Sequence, residues 1–222
     1  MYNCRGVNVI THLITKEQYI SNPCRVCSTA YWKNTTYKKP DNIQVVHEKD
    51  LIVADLEEYH ITRYFRLLHN LKNIKPSNLC DGFYFQNVNI ETQGESVAEL
   101  INQCYDDIEV TSEQVVSWTQ FKVYCKELWV FIYENNYSSP IGLGIADFDS
   151  DIKEGSLEWI QVLPKKRGLG LGQSLVNELL QRLNGKAEFV TVSGEIDNST
   201  NPESIYRKCG FYGDDVWCVI RS

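Results

Sequence analysis

The residues with the clearest capacity for chemistry form a basic, glycine-rich turn in the second half of the chain. Residues 167–172 read Arg-Gly-Leu-Gly-Leu-Gly, and Lys165 and Lys166 precede them. Glycine has no side chain, so backbone N–H groups in such a turn can approach a ligand closely. A helix that begins here would leave its first N–H groups unpaired and add partial positive charge. We therefore predict that the turn binds a pyrophosphate group.

Two other phosphate-binding patterns fit this turn poorly. A P-loop requires Gly-x4-Gly-Lys followed by Ser or Thr, and the chain contains no such string. A dinucleotide-binding turn requires Gly-x-Gly-x-x-Gly and an acidic residue at the end of the next strand. Here the spacing is Gly-x-Gly-x-Gly, and Glu188 falls at the start of the following predicted strand. Neither a P-loop nor a dinucleotide-binding fold is favoured.

The turn must be positioned by the elements around it. A strand is predicted before it at residues 156–163, and an amphipathic helix after it repeats apolar residues with the helical period up to Gly185. The segment 16–33 has a helical pattern broken at Pro23, and the period of residues 59–71 is ambiguous. The remaining predicted strands are 43–48, 82–90, 129–134, 141–148, 187–193 and 216–220, and the helices are 95–105, 112–128 and 203–208. This alternation predicts an α/β or α+β fold.

Composition and charge divide the chain into two parts. Its 222 residues are 43% hydrophobic and 23% charged, which is typical of a globular protein with a substantial core. Residues 1–80 have an excess of four positive charges, whereas residues 81–222 have an excess of eleven negative charges. We predict an N-terminal extension of unknown role at 1–80 and a main domain at 81–222. The acidic main domain argues against nucleic-acid binding, because phosphates would be repelled.

The eight cysteines are interpreted as free thiols. The N-terminal residues contain no continuous apolar run typical of a secretory signal, so we expect a cytoplasmic protein with reduced cysteines and no membrane association. Cys24 and Cys27 form the only Cys-x-x-Cys pair in the sequence. A zinc site would need a second pair of ligands at suitable spacing, so no metal is predicted.

The glycine-rich turn resembles the acyl-CoA loop of the GNAT N-acetyltransferases, which reads Arg/Gln-x-x-Gly-x-Gly/Ala. The preceding stretch, Ile160-Gln-Val-Leu-Pro164, is similar to the end of the family's fourth strand. A second resemblance, to an Asn-containing turn followed by a Tyr–Gly–Phe helix, runs from Asn198 through Tyr206 to Phe211. The two motifs occur in the family's order, and the resemblance covers roughly residues 82–222. The resemblance implies a mixed, centrally splayed β-sheet flanked by helices, preceded here by an α+β extension.

The resemblance also implies which residues bind acetyl-CoA. In the family, pantetheine pairs like an added strand with backbone groups of the fourth strand. The corresponding residues here are Ile160, Gln161 and Val162. The pyrophosphate would lie on the loop, with the contacts Arg167, Gly168, Leu169, Gly170, Leu171, Gly172 and Gln173. The family's asparagine lies seven residues before the tyrosine, where this chain has Ser199. Asn198 is the preferred substitute, and Asn201 is the alternative.

The implied reaction is direct attack of a neutral amine on the thioester of acetyl-CoA. Tyr206 matches the family's acid for the departing sulfur, although a tyrosine on this helix could instead be a core residue. Glu158 is expected on the same strand face as Ile160 and Val162 and is a candidate base. An exposed or ion-paired strand glutamate is an equal alternative. Asp147, Asp149 or a chain of water molecules could also accept the proton.

The acceptor is expected to be a small molecule or a peptide with a primary amine. Asp106, Asp107 and Glu109 lie near the connection between two predicted helices, where negative charge would attract an ammonium group. The N-terminal segment could cover this pocket or mediate a homodimer. The alternative function is a catalytically silent regulatory module that binds acyl-CoA.

Overall fold

A single mixed β-sheet forms the centre of the structure. The structure is a computed structural model and describes residues 14–36, 40, 42–51, 59–105 and 108–221. Within these ranges the sheet has eight strands in the order β1-β8-β2-β7-β6-β5-β4-β3, and only β6 and β7 pair in parallel. The strands are β1 Ile43–His47, β2 His60–His69, β3 Phe83–Asn87, β4 Trp129–Glu134, β5 Gly142–Asp149, β6 Glu154–Val162, β7 Phe189–Glu195 and β8 Tyr212–Arg221. The predicted α/β class with a mixed sheet flanked by helices is confirmed.

Helices cover both faces of this sheet. They are α1 Lys16–Ser21, α2 Pro23–Val26, α3 Tyr31–Thr36, α4 Ile90–Asn102, α5 Ser112–Trp118, α6 Leu171–Leu183 and α7 Pro202–Lys208. Helices α4 and α5 bury one face of β4 and β5 in a core that includes Trp129, Phe131 and Ile145. Helices α6 and α7 bury the opposite face, where Leu179 and Tyr206 share a core with residues of β2 and β7. The glycine-rich turn thus lies at the start of a helix buried along its apolar stripe.

Helix α5 is shorter than the sequence predicts. It begins with a capping box between Thr111 and Gln114, as expected of a threonine at that position, but it ends at Trp118 rather than near residue 128. The chain then turns so that Phe121 contacts Trp32 with ring centroids 5.1 Å apart. Val123 is buried, and its carbonyl accepts a hydrogen bond from Phe148 N–H at 2.9 Å. Tertiary contacts therefore override the local helical pattern.

The ambiguous segment 59–71 forms strand β2, which lies in the middle of the sheet. It pairs with β7 on one side and with β8 on the other. Its alternation places Phe65 and Leu67 in the core and Arg66 on the opposite face, where Arg66 is also buried. Strands β1 and β2 precede residue 80 and belong to the same sheet as the later strands. The boundary at residue 80 as a division between folding units stays a prediction.

A buried carboxylate attaches the N-terminal helices to the sheet. Tyr19 donates a hydrogen bond from its hydroxyl to Glu154 Oε1 at 2.6 Å, and Thr191 Oγ1 donates to the same oxygen at 2.6 Å. The backbone N–H of Tyr31 donates to Glu154 Oε2 at 3.0 Å, and Arg66 Nη2 lies 3.7 Å from Oε1. Arg66 also donates to the Tyr19 hydroxyl at 2.9 Å. This network connects α1 and α3 to β2, β6 and β7.

Replacing Tyr19 by Phe should lower the free energy of unfolding by about 2 kcal/mol, because two buried charged groups lose a hydrogen-bond partner. Chemical denaturation measures this change. Ile20→Ala is a matched control, since Ile20 is on the same helix but 48% exposed, and it should change stability by less than about 0.5 kcal/mol. Equal effects of the two substitutions would contradict the importance of the Glu154 network.

Candidate active site

The sheet opens between its two parallel strands. Strands β6 and β7 pair from Glu154 opposite Phe189 to Leu157 opposite Val192. Beyond that point β7 continues beside β2, whereas β6 continues beside β5 as far as Val162. Among the strands that the structure describes, none therefore pairs with this edge of β6 after Leu157. Its backbone groups on that edge can bond to a ligand that enters the opening. The central splay that the resemblance implied is confirmed.

A cleft of about 380 Å³ lies at this opening, and we call it the splay cleft. Its wall is formed by the free part of β6, the glycine-rich turn and one side of α7. The lining residues are Ile160, Gln161, Val162, Lys166, Arg167, Gly168, Gly170, Leu171, Gly172, Gln173, Thr200, Pro202, Ile205, Tyr206 and Lys208. Ten of the residues predicted to bind or react lie in this set; Glu158, Leu169 and Asn198 do not. Their roles in binding stay predictions.

The glycine-rich turn has the backbone geometry of an anion site. Gly168 and Gly170 have positive φ angles of 85° and 78°, which residues with side chains rarely adopt. A Cβ atom at either position would meet no other atom within 4 Å, so the space beside the turn is open. The first bond into α6 runs from Ser174 N–H to the Gly170 carbonyl at 3.0 Å. The amides before Ser174 are those that a helix leaves without an internal acceptor.

Two of the three cations beside the glycine-rich turn have partners within the chain. Lys166 forms an ion pair with Glu134 and lies 5.2 Å from the ring centroid of Tyr137. Arg167 donates from Nε to the Val162 carbonyl at 3.1 Å. Lys208 lines the splay cleft and was missed by the sequence reasoning. No local pattern identifies Lys208, because its position depends on how α7 docks.

Three other lining residues of α7 and its preceding loop, Thr200, Pro202 and Ile205, were also missed. Pro202, Ile205 and Tyr206 are spaced three and four residues apart, and this spacing places them on one side of a helix. Helical spacing from Tyr206 could therefore have identified Pro202. Thr200 lines the cleft from the loop, whereas Asn198 accepts hydrogen bonds from Thr200 N–H at 2.9 Å and from its hydroxyl at 2.6 Å. Asn198 orders the loop that presents Thr200.

Tyr206 is 8% exposed and holds its ring between two phenylalanines. Its centroid lies 6.0 Å from that of Phe65 and 5.7 Å from that of Phe211. Its hydroxyl makes no hydrogen bond to any residue that the structure describes. Burial is the main cause that raises the pKa of this phenol well above its usual value, and electrostatic interactions with Tyr105, Cys209 and Glu158 make smaller contributions. Tyr206 therefore keeps its proton at neutral pH and is a hydrogen-bond donor.

Strand β6 contains a bulge at Glu158. Ile145 of β5 pairs with Trp159, but the next residue, Ala146, pairs with Leu157. Two consecutive residues of β5 are therefore opposite residues of β6 that are two positions apart, and Glu158 is the extra, unpaired residue between them. A bulge interrupts the alternation of side chains between the two faces of a sheet.

The bulge changes the position of Glu158. The expectation that it shares a face with Ile160 and Val162 is wrong, because those two residues pack against the start of α6. Glu158 instead accepts a hydrogen bond from Ser156 Oγ at 2.9 Å and forms an ion pair with Lys33 of α3. It therefore points to the opposite face of the sheet. Glu158 is the first residue of β6 after the pairing with β7 ends, so it lies where the opening begins.

Asp147 lies beside Glu158 on this face. It is opposite Ser156 in the register of β5 and β6 and is partly buried. Burial raises the pKa of its carboxyl well above the usual value, and the Glu158 charge adds to the shift, while Lys33 opposes it. Asp149, the other aspartate considered from the sequence, is buried and accepts a bond from Asp151 N–H at 3.0 Å. Asp147 and Glu158 are thus the carboxylates nearest the opening among those candidates.

Replacing Asp147 by Asn should stabilise the protein at alkaline pH. A carboxyl with a raised folded pKa favours folding while it is protonated, and this stability is lost as pH rises from its unfolded pKa, about 3.9, through the folded pKa. At pH 8 the variant should gain on the order of 1 kcal/mol relative to the parent, with little gain at pH 3. Denaturation at the two pH values measures this difference.

The matched control is Asp151→Asn. Asp151 is exposed, and its hydrogen bond with Lys122 lowers its pKa, so the opposite sign is expected. A gain at pH 8 for Asp151→Asn, or none for Asp147→Asn, would contradict the proposed environment of Asp147.

The predicted acidic connection between α4 and α5 is only partly described. Asp106 and Asp107 lie outside the described residues, and Glu109 is exposed. Over the ranges that the structure covers, no group of three or more His, Cys, Asp or Glu side chains is arranged to hold a metal ion. In the same ranges, no helix combines the length and apolar character needed to cross a membrane.

Comparison with known proteins agrees with this geometry. Residues 126–212 match the family model of an acetyltransferase (GNAT) domain. A search of curated proteins gives no match. A GCN5-related N-acetyltransferase from Sphaerobacter thermophilus has a similar structure, with a TM-score of 0.64, 18% identity, and coverage of 74% of this chain and 52% of that one. This chain thus spans about half the length of that protein.

Two further solved structures share the fold. A conserved protein of unknown function from Staphylococcus epidermidis has a TM-score of 0.62 and 12% identity over 93% of this chain and 81% of that one. A chain of the NatC complex, solved bound to Gag peptide and CoA, has a TM-score of 0.51 and 16% identity over 63% of this chain and 97% of that one. Residues 126–212 thus match a GNAT acetyltransferase domain in sequence, and the sheet and helices of this chain have the GNAT fold.

Proposed function

We propose that this protein is an N-acetyltransferase that moves the acetyl group of acetyl-CoA to a primary amine by direct attack. The observation that carries the proposal is the splay cleft, where an unpaired strand edge, a glycine-rich helix start and a buried protonated tyrosine meet. The free edge of β6 offers N–H and C=O groups along a line, which suits the amides of pantetheine. The amides of the turn suit a diphosphate at one end of that line.

The cationic residues at the cleft support the binding of an anionic cosubstrate. Arg167 and Lys208 both line the cleft, beside the turn and on α7 respectively. Positive charge next to a helix N-terminus strengthens phosphate binding. In an otherwise acidic domain, this local charge distinguishes the splay cleft from the rest of the surface.

We assign the two proton transfers to residues on opposite faces of the opening. Glu158 takes a proton from the incoming ammonium group, so that the amine can attack in its neutral form. Tyr206 donates its phenol proton to the departing sulfur, a role that suits a buried hydroxyl without another partner among the described residues. Asp147 beside Glu158 adds negative charge, or a shared proton, to the site that receives the ammonium group.

The acceptor class follows from this arrangement. Two carboxylates on the face covered by α3 and α5 favour a cationic primary amine, whether on a small molecule or on a peptide. The similar chain of the NatC complex was solved with a peptide and CoA, which supports including peptides among the candidates. The acceptor would approach from the face opposite α6, while acetyl-CoA would occupy the splay cleft.

Calorimetric titration with acetyl-CoA and with NAD tests the proposed cosubstrate. We expect saturable binding of acetyl-CoA and at least about tenfold weaker binding of NAD, a difference of about 1.4 kcal/mol. A preference for NAD would overturn the proposal. Release of free CoA thiol in the presence of polyamines, aminoglycosides, amino acids or peptides then tests the transfer step. Binding without transfer to any of these amines would favour the catalytically silent module.

A further inference from the structure

Helix α3 brings a lysine of the N-terminal segment to the candidate base. Lys33 Nζ forms an ion pair with Glu158 Oε2, although the two residues are 125 positions apart in the chain. The Lys33 side chain is 30% exposed and that of Glu158 is 17% exposed. Both side chains of the pair are therefore partly accessible to solvent rather than fully buried. A primary ammonium group already occupies the place that the proposed function gives to the acceptor.

The docking of α3 does not depend on this ion pair. Trp32 is 4% exposed, contacts Phe121, and belongs to a small core with Ala30 and Val123. The backbone N–H of Tyr31 is held by the buried Glu154. Since a partly exposed ion pair adds at most about 1 kcal/mol, Lys33 contributes little to holding α3 in place. The contacts of Tyr31 and Trp32 nevertheless position Lys33, which is the next residue of the helix.

The partner of Lys33 is the carboxylate that the proposed function assigns as the base, and it lies in β6 immediately after the last residue that pairs with β7. The charge of Glu158 acts on both the Asp147 carboxyl and the Tyr206 phenol. The ion pair thus holds a primary ammonium group against the proposed base, directly after the point where β6 and β7 stop pairing, and Tyr206 lines the cleft at the same opening. Resting on the proposed function, we infer that Lys33 is itself an acceptor and that the protein acetylates its own Lys33 side chain.

The transfer can be written with all atoms balanced. Glu158 accepts a proton from the Lys33 ammonium group, and the neutral Nζ attacks the thioester carbonyl carbon. The new N–C bond forms, the C–S bond breaks, and the sulfur leaves with its electron pair and takes the Tyr206 proton. The second nitrogen proton restores the Tyr206 phenol, and Glu158 releases its proton to solvent. The products are Nε-acetyl-Lys33, free CoA thiol and one proton.

Mass spectrometry of the full chain incubated with isotopically labelled acetyl-CoA tests this inference. We expect one labelled acetyl group per chain, located at Lys33 by the loss of tryptic cleavage after that residue. Because the reaction occurs within one chain, the rate per chain should stay constant over a tenfold range of protein concentration. A rate proportional to concentration would overturn the intramolecular transfer.

Two variants separate enzymatic labelling from simple chemical acetylation. Lys33→Arg keeps the positive charge and should abolish the single rapid labelling event while binding CoA normally in calorimetry. Tyr206→Phe should slow labelling of Lys33 about 100-fold but leave any slow labelling of the exposed Lys153 unchanged. Equal slowing at both lysines, or no slowing at Lys33, would overturn the inference.

The outcomes also distinguish this inference from the function on which it rests. Labelling of free amines with Lys33 unmodified would overturn self-acetylation alone. If acetyl-CoA fails to bind and neither free amines nor Lys33 become labelled, the proposed acetyltransferase function fails, and the inference fails with it.

Discussion

Replacing Gly170 by Asp should weaken the binding of CoA at least about 100-fold, which corresponds to about 2.7 kcal/mol. Gly170 precedes α6 with a φ angle of 78° and lines the splay cleft. A Cβ atom there meets no protein atom within 4 Å, so the new carboxylate would project into the open space beside the turn. It would place negative charge where the helix N-terminus should bind a diphosphate. Calorimetric titration with CoA measures the effect.

Gly170→Asn is the matched control for this experiment. Asparagine has nearly the same size and shape as aspartate, and it tolerates positive φ angles, but it carries no charge. We expect a loss of affinity for Asn that is several-fold smaller than for Asp. Thermal unfolding of both variants should be similar, since the turn is open. If Asp and Asn bind CoA as well as the parent does, the diphosphate does not lie on this turn.

Replacing Tyr206 by Phe should lower kcat about 100-fold, the lower part of the range for a general acid, and should leave KM for acetyl-CoA nearly unchanged. The substitution removes only the hydroxyl, and the ring contacts with Phe65 and Phe211 can persist. Steady-state kinetics with an identified acceptor measures both constants. A loss of kcat with a constant KM is what an interaction made in the transition state predicts.

The control for Tyr206 is Tyr212→Phe, because Tyr212 is 47% exposed and lies outside the splay cleft. It should change neither kcat nor stability appreciably. An unchanged kcat in Tyr206→Phe would show that Tyr206 is a core residue, the alternative that its burial also fits. A large fall in melting temperature together with kcat would likewise indicate a structural role.

The N-terminal segment gains a role from the structure that its composition did not indicate. Its helices α1–α3 lie on the sheet face that the acceptor would approach, held by the Glu154 network. Its strands β1 and β2 complete the sheet on the side of β7 and β8. A modest positive excess over residues 1–80 could have indicated a docking surface for an acidic partner. Instead, one of those cations, Lys33, forms an ion pair with an acidic residue of the same chain.

Local sequence patterns were sufficient for the glycine-rich turn and its neighbours. The 3.6-residue repeat of apolar residues in α6 and the positive φ angles at Gly168 and Gly170 arise from interactions within a few residues. Helix α6, strand β4 and the position of Tyr206 on α7 were therefore predictable. The meeting of strand end, turn and tyrosine in one cleft was expected only from the family resemblance, because local patterns do not specify contacts between α7 and the turn.

Tertiary structure alone decided the face of Glu158, the central position of β2 and the ion pair of Lys33. A bulge forms only when a partner strand imposes its own register, and the spacing within β6 does not encode Ile145 and Ala146 opposite it. The ambiguous period of residues 59–71 became a strand because β7 and β8 flank it. Contacts between residues far apart in sequence depend on the packing of the whole chain, and no local periodicity records them.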